Sequence, residues 1–178
     1  MHFAIELFPG EQADHQVRQV WAALDREGIR SLGGDPESMY RPHVSLSVFE
    51  QGDPAEVAQT LQPILSRSIG LPLPLVSLGF FPPAEAAPVF LGVAPSARFL
   101  KLHSEVNEAI DSIVDGICPC YRPDALLPHC TLAMRVAEKA KALEIAAGFE
   151  LPIMARVGSA HLVEVPGGRI AARLDTEA

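Results

Sequence analysis

Two stretches of the chain share a frame of residues suited to proton transfer. "RPHVSLSVFE" (41–50) and "LPHCTLAMRV" (127–136) both read Pro-His-x-Ser/Thr-Leu, and their histidines, His43 and His129, stand 86 residues apart. The composition of this chain makes about 0.005 such frames expected by chance, so two are a signal. On a strand, alternate side chains share a face. His43, Ser45 and Ser47 then lie on one face, with Val44, Leu46 and Val48 turned to a core. In the second copy His129 and Thr131 share a face, and Cys130, Leu132 and Met134 take the other. Two such strands facing each other would gather two imidazoles and two hydroxyls around one point. Histidine titrates near neutrality, so one ring can take a proton while the other gives one. The hydroxyls can donate to the non-bridging oxygens of a phosphoryl group, where charge builds in the transition state. That array suits in-line attack of water or an alcohol on a phosphodiester, and a cyclic diester is attractive because the ring holds its leaving group. Neither a metal nor a covalent intermediate is needed.

The elements around these strands repeat as well. Shifted by 86, the halves align without a gap for about fifty residues, with "FAIELFP" (3–9) on "VFLGVAP" (89–95). In the first half a strand spans 2–8. A helix spans 11–27, with Val17, Val20, Trp21 and Leu24 on one stripe and Gly28 as its stop. A loop containing Gly33, Gly34, Asp35 and Pro36 leads to the strand at 43–49. A second helix opens at Asp53-Pro54 with Glu56 completing a capping box, buries Val57, Leu61 and Ile64, and is kinked or shortened by Pro63. A strand near 73–80 ends at Pro82-Pro83. The second half gives a strand at 88–94 and a helix capped by Ser96 that runs to about 115, with Phe99, Val106, Ile110 and Val114 inward. The motif strand 129–135, a helix at 137–147, a long strand near 151–165, a turn at Pro166-Gly167-Gly168 and a strand near 169–174 follow. The expected class is α+β: one domain over 1–178, bilobal, built from β-α-β-α-β repeats at about 1–86 and 87–178. A pseudo-two-fold relates the repeats, with antiparallel sheets lining a central cleft and helices outside.

Bulk properties narrow the function. Apolar residues are 48% of the chain and charged residues 20%, enough for a packed core and against wholesale disorder. The net charge of −8 argues against gripping long duplex nucleic acid through many phosphates, though not against a pocket for one phosphate. Three cysteines, Cys118, Cys120 and Cys130, fit a reducing compartment better than a disulfide framework. The start, "MHFAIELFPGEQADHQ", reads as neither a signal peptide nor a membrane span. The expectation is a soluble, cytoplasmic monomer with no membrane partner. "CPCYRPDALLPHC" suggests zinc, but the spacing matches no structural pattern and adjacent strand residues point apart, so no metal is assigned.

The segments "PHVSL" and "PHCTL", the opening "HFAIELFP" and "VFLGVAPSARFLKLHSEVNEAI" resemble the two-histidine (2H) phosphoesterase superfamily, which includes 2′-5′ RNA ligase-like proteins and cyclic phosphodiesterases. The resemblance covers nearly the whole chain. It implies a bilobal fold, metal-independent cleavage of 2′,3′-cyclic phosphates or 2′-5′ linkages with RNA ligation as the reverse reaction, no cofactor, and a catalytic quartet of His43, Ser45, His129 and Thr131. Ser45 stands where threonine is usual and keeps the hydroxyl. The repeat leaves the histidines near-equivalent; for hydrolysis the assignment favoured is His129 activating the nucleophile and His43 protonating the leaving oxygen, with the roles swapped for ligation. Arg135, on the face of His129, and Arg41 and Arg122, near the motifs, are candidates to reach a phosphate, although a surface arginine is the default. Tyr40 and Tyr121 are candidates to stack on a base, and Phe80 and Phe81 to wall the cleft. Ser47 reads as solvated edge and His103 as packed core, and His2, His15 and His161 carry no spacing signal. The expected partner is a small nucleotide or an RNA end. A binding module that senses such an end without turnover is the alternative.

Overall fold

A computed structural model of the chain describes residues 2–81 and 87–175. It is mixed α+β. β1 (His2–Pro9) leads into α1 (Glu11–Arg26), and the motif strand β2 (Val44–Phe49) is followed by a short β3 (Gln51–Gly52). α2 (Pro54–Leu65) and β4 (Pro72–Phe80) complete the first half. β5 (Ala87–Val93), α3 (Ala97–Ile110), a short β6 (Val114–Asp115), the second motif strand β7 (His129–Val136), α4 (Lys139–Ala147), β8 (Ile153–Val165) and β9 (Arg169–Arg173) follow. The Pro82-Pro83 end expected for β4 lies outside the described residues. Among the described residues no helix is long and apolar enough to cross a membrane.

Local chemistry explains the helices. α1 buries Val17, Val20, Trp21 and Leu24 and stops at Gly28, whose φ of +79° favours a residue without Cβ. Asp53 accepts from the Ala55 amide at 3.0 Å to start α2, and Ser96 accepts from Phe99 at 3.1 Å to start α3. The helix expected to run to about 115 ends at Ile110. Val114 instead belongs to β6, which pairs with β3 and brackets the end of β2.

Seven strands form one antiparallel sheet in the order β2-β1-β8-β4-β5-β7, with β9 a hairpin partner of β8. Each half gives its third strand away: β8 pairs with β1 of the first half, and β4 pairs with β5 of the second. β8 also meets β4 over 153–156, so this 13-residue strand ties the two sets together. Neither half closes a sheet by itself. α1 packs against α4 and α2 against α3, and one continuous apolar core lies between the helices and the sheet. β2 and β7 are the two ends of the strand order, yet they lie beside each other, so the sheet curls until its edges meet.

The ladder corrects the gapless alignment. The helices and motif strands keep the 86-residue offset, but β1 and β5 are slipped by two. Glu6 lies opposite Ser45 and Phe90 opposite Thr131, whereas an offset of 86 would set Glu6 on Gly92. A slip of two preserves the face, which is why the alternation concealed it. Both motif strands are also bulged just after their hydroxyl residue. Ile5 pairs with Ser47 while Glu6 pairs with Ser45, leaving Leu46 extra; Val89 pairs with Ala133 while Phe90 pairs with Thr131, leaving Leu132 extra. The carbonyls freed there are taken up by other elements. Leu132 O accepts from the Leu32 amide at 2.9 Å and Thr131 O from the Trp21 indole at 3.3 Å.

Because the third strands are exchanged, a fragment of residues 1–86 should show no cooperative thermal transition by circular dichroism, while mixing it with residues 87–178 should restore one. A cooperative melt from either fragment alone would contradict this reading of the ladder.

Candidate active site

The two histidines are held alike. Each follows a proline, and in each the ring Nδ1 lies 2.7 Å from the carbonyl oxygen two residues back: Arg41 O for His43 and Leu127 O for His129. Proline has no amide hydrogen and a fixed φ, so the dipeptide before each histidine presents that carbonyl to the ring. A carbonyl oxygen only accepts, so Nδ1 carries the hydrogen and Nε2 is the nitrogen left for chemistry. Both rings rest on aromatic side chains. Tyr40 stacks on His43 at 6.0 Å and Phe8 lies 6.2 Å from it, while Phe81 and Phe90 lie 4.9 and 5.1 Å from His129.

The closing of the sheet brings these groups together. Burial holds the His129 ring below the usual histidine value; the Leu127 carbonyl opposes this, and the nearby charge of His43 adds to it. The Tyr121 hydroxyl has its proton affinity pushed up, chiefly by burial, to about 12, and Ser45 opposes that shift. Thr131 and His129 line a cavity of about 350 Å³ whose other walls include Phe81, Tyr121, Leu126, Leu127 and Met134. A wider groove of about 610 Å³, bounded by Arg30, Tyr40, Arg135 and Gly167, adjoins it at Met134. The two motif strands, far apart in the ladder, are adjacent in space; His129 and Thr131 line this cavity, while His43 and Ser45 stand on the neighbouring strand outside its wall.

A family model described as the 2′-5′ RNA ligase superfamily matches residues 9–169. The chain belongs to that superfamily. Among solved structures, one of TT0787 from Thermus thermophilus is similar at 17% identity, covering 100% of each chain with a TM-score of 0.61. Another, of LigT from E. coli complexed with NADP+, is similar at 17% identity, covering 90% of this chain and 85% of that one with a TM-score of 0.54. At such identity these likenesses establish the fold. No curated protein matches the chain significantly.

In this member of the 2′-5′ RNA ligase superfamily the bulges redirect several side chains. Ser47, expected at a solvated edge, is fully buried with its hydroxyl unpartnered, because the extra Leu46 turns it inward with Phe49. Met134, expected in the core, is 52% exposed and lines the cavity, because the extra Leu132 turns Ala133 inward in its place. Arg135 does not share the wall of His129. It has left-handed backbone (φ 54°) and lines the neighbouring groove with Tyr40. Arg41 lies over the Phe8 ring at 5.0 Å and 3.6 Å from Asp14. Arg122 is drawn to Asp111 at 2.6 Å and is absent from the cavity wall. Phe81 walls the cavity, whereas Phe80 is exposed outside it. Among the described residues no three His, Cys, Asp or Glu side chains gather as metal ligands; Cys130 is buried on the core side of β7.

Two polar neighbours escaped the sequence reading. Glu6, on the floor of the cleft, is 2% exposed and places Oε1 3.4 Å from His43 Nε2. Burial raises its affinity for a proton, and His43 opposes that. His161 of β8 lies directly opposite Glu6, buried, with Nδ1 unpartnered and Phe8 5.0 Å from its ring. A single carboxylate in the otherwise apolar "FAIELFP" was the signal available, since a charge in a central strand is rarely buried without a partner.

Tyr40 owes its place to the β8–β9 turn. Its hydroxyl accepts from the Gly167 amide at 3.2 Å, and a Cβ on Gly168 (φ +80°) would sit 2.7 Å from Tyr40 N. Gly168→Ala should lower stability by about 1–3 kcal/mol and move Tyr40 off His43. An unchanged melting temperature would show that the turn does not brace that loop.

Proposed function

We propose that the chain is a phosphodiesterase acting on 2′,3′-cyclic phosphate or 2′-5′ phosphodiester bonds in nucleotides or RNA ends, by two-histidine acid/base catalysis without a metal-dependent step. The observation that carries the reading is the pair of imidazoles held in the same tautomer, each two residues from a hydroxyl, on two strands that lie beside each other. Water attacks phosphorus in line with the leaving oxygen. His129 Nε2 takes the proton of the attacking water; the phosphorus–oxygen bond to the leaving group breaks, and His43 Nε2 supplies the proton that the leaving oxygen needs. Ser45 and Thr131 donate hydrogen bonds to the non-bridging oxygens. The depressed proton affinity of His129 supports its role as base, because a base must be free of its proton near neutral pH. Ligation is the same path run backwards with the roles exchanged.

The walls of the cavity suit a base that stacks and is not read edge by edge: Phe81, Tyr121, Leu127 and Met134 offer surface and few donors. The NADP+ in the similar LigT structure and the net charge of −8 both support a small nucleotide or short RNA end over a long duplex.

His43→Ala and His129→Ala should each lower monophosphate release from 2′,3′-cyclic nucleotides by about 10²–10⁴-fold while the far-ultraviolet dichroism is unchanged. Ser45→Ala or Thr131→Ala should cost about 10²-fold. A wild-type protein that binds cyclic nucleotides and 2′-5′ dinucleotides yet turns over none of them would establish the sensing module instead. The pH dependence carries a sign. His129 stays unprotonated until the pH falls below the ordinary histidine value of 6.5, so the acid limb of kcat/KM should lie below that pH. An acid limb above it would remove His129 as the base.

A further inference from the structure

The two halves place different residues beside their histidines at the same rung of the ladder. Opposite Thr131 stands Phe90, and opposite Ser45 stands Glu6. His129 therefore faces hydrocarbon, whereas His43 faces a carboxyl group 3.4 Å from the nitrogen that reacts. The other nitrogen of His43 already donates to Arg41 O. An ionised carboxylate this deeply buried beside a neutral imidazole would be a charge with no counter-charge within reach. One proton held by the pair removes that cost, whether it sits on nitrogen or on oxygen.

We propose that Glu6 and His43 hold one proton between them in the free protein, and that Glu6 is the positioning residue that makes His43 the acid of the hydrolytic direction. The second clause rests on the phosphodiesterase reading; the first does not. The stored proton is the one passed to the leaving oxygen, after which the pair is short of one proton and His129 holds one in excess. Solvent exchange at both ends restores the starting state. Ligation must begin from the opposite distribution, with His129 charged against aromatic rings that offer no acceptor.

The groups facing the pair leave it to titrate alone. His161, opposite Glu6 on β8, has its proton affinity lowered by burial and is neutral near pH 7. Tyr40 and Tyr121 have theirs raised by burial, and the Cys130 thiol is pushed up to about 12, so none of the three ionises near neutrality. Arg41 shares Asp14 of α1 with Arg18 and keeps its charge throughout this range, and Arg173 of β9 is paired with Asp175. His129 is the remaining titrating neighbour, and it governs the opposite limb.

Two measurements test this on the full chain. Nuclear magnetic resonance of the wild type at pH 7 should show either both His43 ring nitrogens bearing hydrogen or the Glu6 carboxyl carbon at the shift of a protonated acid, and Glu6→Gln should leave His43 with hydrogen on Nδ1 alone. A wild-type spectrum with His43 singly protonated and Glu6 ionised overturns the proposal whether or not the protein turns over any substrate. In kinetics, Glu6→Gln should move the alkaline limb of kcat/KM on a 2′,3′-cyclic nucleotide to lower pH by about one unit or more, and leave the acid limb in place. Glu6→Asp should restore part of the shift. A folded Glu6→Gln protein with both limbs unmoved overturns the assignment of Glu6. Absence of wild-type turnover removes the phosphodiesterase reading, and with it the role of the proton, while the spectrum still decides whether the proton is shared.

Discussion

The backbone groups along the free edges of β2 and β7 must find partners, and the way they do so shapes the cleft. These strands end a sheet that would otherwise expose two unpaired edges. The sheet curls instead, and each edge is satisfied from the opposite half. Val48 O of β2 accepts from the Cys118 amide at 2.8 Å. Leu132 O and Thr131 O of β7 accept from Leu32 and from the indole of Trp21 on α1. Each motif strand is thus fastened by hydrogen bonds from the other half. The two motif histidines keep their spacing because an edge left unsatisfied would cost about 1–3 kcal/mol for each buried group.

On this frame the bulges set the polarity of the cleft. An extra leucine after Ser45 and after Thr131 keeps both hydroxyls on the cleft face while returning the following residues to the core. One consequence is an orphaned Ser47 hydroxyl in the interior, and another is a methionine where the cavity meets the outer groove. The polar and apolar walls that result are unequal. Glu6 and His161 lie along the floor on the His43 side; Phe81 and Phe90 stand on the His129 side. A near-symmetric backbone therefore carries an asymmetric electrostatic environment, and that asymmetry is what a directional proton transfer requires.

Much of this could be read in advance, for reasons that are local. The stripe of Val17, Val20, Trp21 and Leu24 specifies a helix face because 3.6 residues per turn is a property of any peptide, and Asp53 and Ser96 mark helix starts because an orphan amide needs an acceptor. The Pro-His-x-Ser/Thr frame set histidine and hydroxyl on one strand face, while the carbonyl two residues back that fixes each tautomer appeared only in the structure. Val114 was misplaced because its apolar character continues the helical stripe of α3, while its pairing with Gly52 depends on a strand more than sixty residues earlier.

The sequence by itself determined most of the element types and the repetition of the Pro-His-x-Ser/Thr frame, which follow from short-range periodicity and from side-chain chemistry. Only the tertiary structure decided that the third strands cross between halves, that Leu46 and Leu132 bulge, and that Glu6 and Phe90 occupy equivalent rungs. Those outcomes depend on register, and register is settled by competition among hydrogen-bond ladders and a shared core that no window of neighbouring residues contains.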